Sequence, residues 1–127
     1  MTETYSIGTV AERLGLTIDT LRYYERAGIV PPAHRDSGGR RRYGSNDLHL
    51  LEVLLHLRDT GMPLSTIAEF TRLVQSDPEG VPERLQLLRA HRAIITEQIA
   101  RLNRSLAVVE SKISDYSARS SLREKRA

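Results

Sequence analysis

Apolar residues recur at helical spacing along most of the chain, in runs that glycine and proline separate. The first run follows Ser6 and ends at Gly15. The second run can be capped by Thr17 or by Asp19, and it ends at Gly28. Because a tight turn joins these two short runs, they predict a helix-turn-helix.

Helical spacing is lost between residues 35 and 43, where two successive glycines fit a tight reversal between short flanking segments. We therefore predict a two-stranded hairpin there, and we call residues 35–43 the wing. Helical spacing resumes over residues 47–60 and again from Ser65. Turn-forming residues at 76–81 then predict a linker.

The last third of the chain carries a seam of apolar residues at alternating steps of three and four, which is typical of a coiled coil. Only Arg92 interrupts this seam. A helix of about 35 residues spans roughly 50 Å, more than the preceding short helices could cover. We therefore favour an antiparallel pair of two copies; the alternative is that the helix folds back onto the chain's own globular part. The predicted dimerisation residues are Leu85, Leu88, Ile95, Ile99, Leu102, Leu106, Val109, Ile113 and Tyr116.

Together these elements predict a mainly α protein with two functional parts. A winged helix-turn-helix domain (1–75) is followed by the linker (76–81) and by a long coiled-coil helix for dimerisation (82–117). The remaining segment (118–127) is basic and almost free of apolar residues, so we expect a flexible tail.

Composition excludes several kinds of chemistry. The chain has no cysteine, which rules out disulfides, thiolate metal sites and thiol catalysis. No two of its four histidines are four residues apart, and it has neither a glycine-rich phosphate loop nor a nucleophile elbow. We therefore expect no enzyme, no cofactor and no metal site. No signal peptide or membrane span is present in the sequence, so we expect a cytoplasmic protein without a membrane partner.

The distribution of charge is more informative than its sum. The net charge is only +3, but the wing contains four arginines and one aspartate. In a helix-turn-helix the second helix enters the major groove of DNA, and a basic hairpin after it would lie near the adjacent backbone. The alternative is that the wing is a solvated loop. The candidate DNA-binding residues are Thr17, Asp19, Thr20, Arg22, Tyr23, Tyr24, Arg35, Arg40, Arg41, Arg42 and Tyr43.

Several of these candidates differ in what we expect of them. Arg22 is the best reader of a base or a phosphate. Neighbouring helical side chains diverge by about 100°, so Tyr23 and Tyr24 cannot both face inward, and we expect Tyr24 to be the more buried. Glu25 is expected to pair with an arginine rather than to touch DNA. If the hairpin forms, successive wing arginines alternate between its two faces.

The run LRYYE, followed by G-x-x-P-P and a wing ending in R-x-Y, resembles the DNA-binding half of the MerR family of bacterial transcription regulators over residues 5–74. The long helix resembles the dimerisation helix of that family. The resemblance assigns Arg22, Tyr23 and Tyr24 to the recognition helix, Arg41 and Tyr43 to the wing, and residues 61–65 to a second wing that meets the phosphate backbone.

The resemblance also implies a partner and a mechanism. Members of the family are homodimers whose long helices pair antiparallel and which bind a pseudo-palindromic operator in double-stranded promoter DNA. The dimer bends and untwists a long promoter spacer, so that RNA polymerase, an indirect partner, can engage both promoter elements. Whether this chain activates or represses stays open.

The sequence departs from the family pattern at three places. Arg40 stands where an aromatic residue usually follows the wing glycine, and Gly44 replaces the usual Ser or Thr cap of the third helix. The chain is most similar to the short, aldehyde- or electrophile-responsive branch, in which a cysteine of the third helix is the proposed sensor. Here His56 takes that position, so His56 is a candidate effector residue and the small-molecule inducer stays unknown. The alternative is that His56 is a half-buried packing residue.

We therefore expect a sequence-specific DNA-binding transcription regulator that acts as a homodimer. An alternative is a protein–protein interaction module that uses the C-terminal coiled coil and has no inducer-responsive promoter switch. A third hypothesis, a small-molecule-binding or enzymatic protein, would require polar groups converging in a pocket, and none stands out in the sequence.

Overall fold

The computed structural model describes residues Glu3–Arg126, whereas Met1, Thr2 and Ala127, which belong to the predicted N-terminal domain and tail, lie outside the described residues. Within that range the chain is mainly helical, as predicted. The helices are α1 (Ile7–Leu14), α2 (Ile18–Arg26), α3 (Ser45–Asp59), α4 (Leu64–Gln75) and α5 (Val81–Arg126). The short strands are β1 (Tyr5–Ser6), β2 (His34–Arg35) and β3 (Arg41–Tyr43).

Local sequence signals define the helix-turn-helix of α1 and α2. The Ser6 hydroxyl accepts a hydrogen bond from the backbone N–H of Thr9 (3.3 Å), and the Thr17 hydroxyl accepts one from Thr20 (3.0 Å). Both caps satisfy N–H groups that have no partner inside the helix. Gly15 ends α1 with φ of 70°, a left-handed conformation that residues with a side chain rarely adopt. The chain therefore reverses where glycine was predicted to stop the first helix.

The wing belongs to a three-stranded antiparallel sheet, in the order β1-β3-β2. The predicted hairpin pairs β2 with β3, with Arg35 opposite Arg41. A third strand, β1, was not predicted; it pairs with the other edge of β3 and places Tyr5 opposite Tyr43. The sheet thus joins the residues before α1 to the wing.

The core fills the space among the four short helices and the sheet. Thr71 is buried, and its hydroxyl donates a hydrogen bond to the backbone carbonyl of Ile29 (2.6 Å), so its polar group has a partner. Gly80, the residue before α5, lies against the backbone of Leu73. A Cβ at Gly80 would be 2.2 Å from the Leu73 carbonyl oxygen, which leaves no room for a side chain. The buried apolar residues are Val10, Ala11, Leu21, Tyr24, Ile29, Val30, Tyr43, Leu48, Leu51, Leu54, Leu57, Met62, Ile67 and Phe70.

The described chain divides into two compact units, with the division after Leu88. In the first unit Leu87 packs against the core. The second unit is the rest of α5, and the helix continues to Arg126. The prediction that residues 118–126 form a flexible tail is therefore wrong: arginine, lysine, leucine and glutamate propagate a helix well once it is nucleated, even without an apolar face.

Candidate nucleic-acid interface

An open groove of about 340 Å³ runs between α2 and the wing. Five of its eight lining residues are arginines and none is acidic, so the groove is strongly cationic. These residues come from four places in the chain: the end of β1, the start of α1, the exposed side of α2, and the wing. The lining residues are Ser6, Ile7, Arg22, Arg35, Gly39, Arg40, Arg41 and Arg42.

The first turns of α2 present several of the predicted residues. Thr17 and Asp19 are exposed at the helix start, and the Thr20 hydroxyl accepts a hydrogen bond from Thr17 (2.8 Å). Arg22 is exposed at the groove and lies 3.8 Å from the Asp19 carboxylate, a contact too long and too exposed to hold it. Tyr23 is 52% exposed. The exposed surface of α2 therefore carries one arginine at the groove and one exposed aromatic ring.

Tyr24 points the other way and is 8% exposed, which confirms that it is the more buried of the two tyrosines. Its hydroxyl accepts a hydrogen bond from Nη1 of Arg58 on α3 (3.0 Å). Because the ring is packed and the hydroxyl is engaged, Tyr24 positions α2 against α3, and its place among the DNA-binding residues stays a prediction.

Glu25 links the end of α2 to the wing. Its carboxylate accepts hydrogen bonds from Nε (3.2 Å) and Nη2 (3.3 Å) of Arg41 and from the backbone N–H of Ala33 (3.3 Å). Burial raises the pKa of Glu25, but the hydrogen bonds from Arg41 and Ala33 outweigh it, so the pKa lies below its ordinary value. The hydrogen bond to Glu25 raises the pKa of Arg41. The expected pairing of Glu25 with an arginine is confirmed.

This pairing changes the interpretation of two predicted contacts. Arg41 lines the groove, but its side chain is only 18% exposed and both of its bonded nitrogens face Glu25, so it braces the wing instead of projecting toward a ligand. Tyr43 is 3% exposed and belongs to the core, so its ring packs inside the protein, and its place among the DNA-binding residues stays a prediction. In a strand that is paired on both edges, alternate residues face the core, and Tyr43 takes that position.

The tip of the wing is held by hydrogen bonds between its side chains and its own backbone. The Asp36 carboxylate accepts hydrogen bonds from the N–H groups of Gly38 (2.9 Å) and Arg40 (3.0 Å). The Arg40 N–H bond, the larger effect, and the Gly38 bond lower the pKa of Asp36 despite some desolvation. Nη1 of Arg35 donates to the Gly39 carbonyl (2.7 Å). The hairpin is thereby shaped for presenting side chains.

The remaining wing arginines differ in their freedom. Arg42 donates from Nε to the Thr4 hydroxyl (3.1 Å) and from Nη2 to the Thr4 carbonyl (2.9 Å). Arg41 and Arg42 therefore have different partners, as alternation along a strand predicts. Arg40 is exposed, and within residues 3–126 no ion pair involves its guanidinium.

His56 lies outside this groove. It is exposed, so the alternative of a half-buried packing residue is wrong. It lines a second open groove of about 290 Å³ between α1 and α3, with charges of both signs around it. The part of the chain that the structure describes contains no group of three potential metal-ligating side chains, and none of its helices is long and apolar enough to span a membrane.

Two family models match this chain. Residues 5–73 match the model described as MerR HTH family regulatory protein, and residues 48–115 match the model described as MerR, DNA binding. An uncharacterized HTH-type transcriptional regulator of Haemophilus influenzae is 35% identical over 113 residues, which cover 89% of this chain and 84% of that protein.

Solved structures agree with these matches. The crystal structure of HiNmlR, described as a MerR family regulator lacking the sensor domain and bound to promoter DNA, has a TM-score of 0.82 and 35% identity, and the match covers 91% of each chain. A MerR family transcriptional regulator from Bacillus thuringiensis has a TM-score of 0.79 and 31% identity, with 89% of this chain and 99% of that chain covered.

Proposed function

This chain belongs to the MerR family of helix-turn-helix regulatory proteins, and from that premise we propose that it binds promoter DNA as a homodimer and regulates transcription. The similar HiNmlR is described as bound to promoter DNA, and the named relatives are transcriptional regulators and not enzymes. A cytoplasmic location follows from a role on promoter DNA.

The observation that carries this proposal is the cationic groove between α2 and the wing. A duplex presents a row of phosphates on either side of its major groove, and arginines on two neighbouring elements can follow such a row. With α2 in the major groove, the wing lies over the adjacent backbone. The groove has no acidic lining residue that would oppose this arrangement.

The geometry supports distinct roles for the candidate residues. Arg22 and Tyr23 are the exposed groups of α2 that would reach base edges or flanking phosphates, with Thr17, Asp19 and Thr20 at the helix start. Arg40 is the freest cation of the wing, whereas Arg35 and Arg42 can add attraction while they keep their backbone partners. Residues 61–65 would supply the second wing.

The seam of α5 supports the homodimer. Most of its apolar residues are exposed in the single chain; Leu102, for example, is 69% exposed. An antiparallel pair would cover this stripe and place two helix-turn-helix domains on two half-sites. Such a dimer can stabilise a bent and untwisted spacer, which affects RNA polymerase through the shape of the DNA. An inducer, if the protein uses one, has no assigned site, and His56 remains a candidate only through its place in the sequence.

Binding to the promoter next to the protein's own gene tests the proposal. Arg22→Ala should weaken binding to the operator by roughly 10- to 100-fold. It should also reduce the ratio of the affinity for the operator to the affinity for a scrambled duplex. Arg40→Ala should weaken both duplexes alike and lower the slope of log affinity against log salt by about one. Fluorescence anisotropy at several salt concentrations measures both effects.

Arg101→Ala is the matched control, because Arg101 is an exposed arginine of α5 away from the groove. It should leave affinity and salt dependence unchanged. Equal losses of affinity for all three variants would mean that diffuse positive charge accounts for binding, and would contradict the assignment of DNA binding to the groove. Absence of operator binding by the unaltered protein would contradict the proposed function.

A further inference from the structure

We propose that an apolar hollow at the start of α5 receives Tyr116 of a second copy, and that Arg89 forms an ion pair with the partner's Glu110. Together these contacts would fix one antiparallel register of the two α5 helices. The inference rests on the proposed homodimer and adds to it a docking site and a pair of charges that determine its geometry.

The spacing of the seam defines the register. The seam positions from Leu85 to Tyr116 lie symmetrically about the midpoint between Ile99 and Leu102. An antiparallel partner centred there places Leu85 opposite Tyr116, so that every seam residue faces another. A shift of one heptad would leave seam residues at both ends without an apolar partner. Burial of apolar area therefore favours the centred register.

Arg92 discriminates against a parallel pair. It occupies a seam position, and in a parallel coiled coil it would face the partner's Arg92 directly, with two like charges in the interface. In the centred antiparallel register it faces the partner's Val109 instead. A long arginine side chain can extend past a valine and keep its guanidinium in water. The one polar seam residue thus selects the antiparallel orientation.

The charges beside the seam favour the same register. Arg89 and Glu110 each follow a seam residue, Leu88 and Val109, and are exposed. The centred antiparallel register brings Arg89 of each copy next to Glu110 of the other, twice in the dimer. Across residues 3–126 neither side chain has an ion pair within its own chain, so both are available. In a parallel pair, by contrast, Arg89 would lie across from Arg84.

The hollow lies where the register places the partner's Tyr116. It has a volume of about 230 Å³ and is lined by Phe70 of α4 and by the first turns of α5. Its lining residues are Phe70, Val81, Arg84, Leu85 and Leu88. Arg84 is held at the hollow by an ion pair with Asp77, so a cation is in place for the face of an entering ring.

Tyr116 is suited to this role. It is 58% exposed, and on its own chain the cationic groups of Lys112 and Arg119 lie 5.9 and 5.7 Å from the centroid of its ring. An aromatic ring that leaves water for an apolar hollow beside a cation gains both burial and a cation–π contact. The two ends of the dimer interface would then be identical.

Disulfide trapping tests the register, because the natural chain has no cysteine. A mixture of Arg92→Cys and a size-tagged Val109→Cys should give the mixed disulfide under mild oxidation. Arg92→Cys alone should give none, since the two copies of residue 92 would be about 25 Å apart. Arg92→Cys mixed with Tyr116→Cys, which reports a one-heptad shift, should give little.

A disulfide from Arg92→Cys alone would establish a parallel pair and overturn the proposal, as would trapping of the shifted pair in place of the centred one. A dimer by light scattering that traps in none of these combinations would also overturn it, because its interface would lie elsewhere. In all these cases operator binding by the dimer would persist, so the proposed function would survive. A protein that is a monomer and does not bind the operator would contradict both the proposed function and this proposal.

Dimer dissociation constants test the two named contacts. Arg89→Glu and Glu110→Arg should each raise the constant roughly three- to tenfold, and the double variant should return to within about twofold of the original. Tyr116→Ala should raise it by roughly tenfold or more. Leu122→Ala is the control, because Leu122 is also 58% exposed on the same helix but lies off the seam.

The hollow is tested by coupling. Val81→Ser alters its rim at a residue that is 47% exposed, so the fold should tolerate it. If the ring of Tyr116 enters the hollow, Tyr116→Ala should have a smaller effect in the Val81→Ser background than in the original chain. Strict additivity, or failure of the charge-swapped double variant to recover, would overturn the corresponding contact.

Discussion

The two compact units of this molecule differ in the exposure of their apolar residues. All fourteen buried apolar residues of the described chain lie between Val10 and Phe70, in the first unit. Among the described residues of the second unit only His91 is buried, while large apolar residues such as Leu102 and Val108 are 69% and 64% exposed. The first unit has its core within one chain; the second has an apolar seam and no core of its own.

Because of this difference, the stability of each unit depends on the protein concentration in a different way. The core of the first unit lies within a single chain, so the stability that this core supplies does not depend on how much protein is present. The seam of the second contributes only when another copy covers it, so its contribution depends on concentration. The same substitution should therefore have different consequences in the two units.

Leucine truncation gives the largest expected effect. Leu54 is 1% exposed, so Leu54→Ala should lower the free energy of unfolding of the first unit by about 2–5 kcal/mol at every protein concentration. Urea denaturation over a hundredfold range of concentration, followed by tyrosine fluorescence, measures this loss.

Leu102→Ala is the matched variant in the second unit. In a dilute, monomeric sample it should leave unfolding of the first unit unchanged, because Leu102 is 69% exposed in the single chain. In a concentrated sample it should weaken the dimer by roughly 1–3 kcal/mol per copy. If Leu102→Ala destabilised the monomer as much as Leu54→Ala does, the comparison between the units would be wrong.

The two units also differ in what their sequence reveals. The helices of the first unit are signalled locally, by Ser6 and Thr17 as caps and by Gly15 as a stop, and the structure places each where it was expected. The role of Tyr24 followed from the angle between neighbouring helical residues. Helical periodicity, together with these caps and the glycine stop, thus predicted most of the fold.

What the sequence did not reveal depends on distant contacts. A two-residue strand such as β1 carries no periodicity, and its pairing with β3 joins residues that are 38 positions apart along the chain, Tyr5 and Tyr43. The burial of Tyr43 and the engagement of Arg41 follow from that pairing and from Glu25. A basic motif can therefore be identified locally, but which of its arginines is free is decided by partners elsewhere in the chain.

The Glu25–Arg41 pair gives the next prediction. Glu25→Gln would leave Arg41 with a weaker partner in a part-buried site and should lower the stability of the first unit by about 1–3 kcal/mol at neutral pH. Like Leu54→Ala, and unlike Leu102→Ala, this effect should not depend on concentration. Glu69→Gln, at an exposed glutamate of α4, is the control and should change stability little.

The pH dependence of this pair has a defined sign. The folded-state pKa of Glu25 lies below its ordinary value, so its stabilising contribution is complete above the unfolded-state pKa of about 4.3 and is lost as the pH falls through the folded-state pKa. The original chain should therefore lose stability more steeply below about pH 4.3 than Glu25→Gln does. Parallel acid-denaturation curves for the two proteins would contradict the role of the ion pair.

The cap of α3 provides the smallest and most local test. Gly44 has φ of −86° and ψ of 176°, an extended conformation that serine adopts readily, and a Cβ there would meet Asp47 Oδ2 only at an ordinary 3.6 Å. The backbone N–H of Gly44 already donates to Asp47 (2.8 Å). Gly44→Ser should add a hydroxyl acceptor for the first turn and stabilise the first unit by a few tenths of a kcal/mol, whereas Gly44→Ala should not. Because the cap lies wholly within the first unit, the gain should appear in unfolding of the monomer and leave the dimer dissociation constant unchanged. A shift in that constant would mean that the stability of the first unit and the stability of the dimer are not independent.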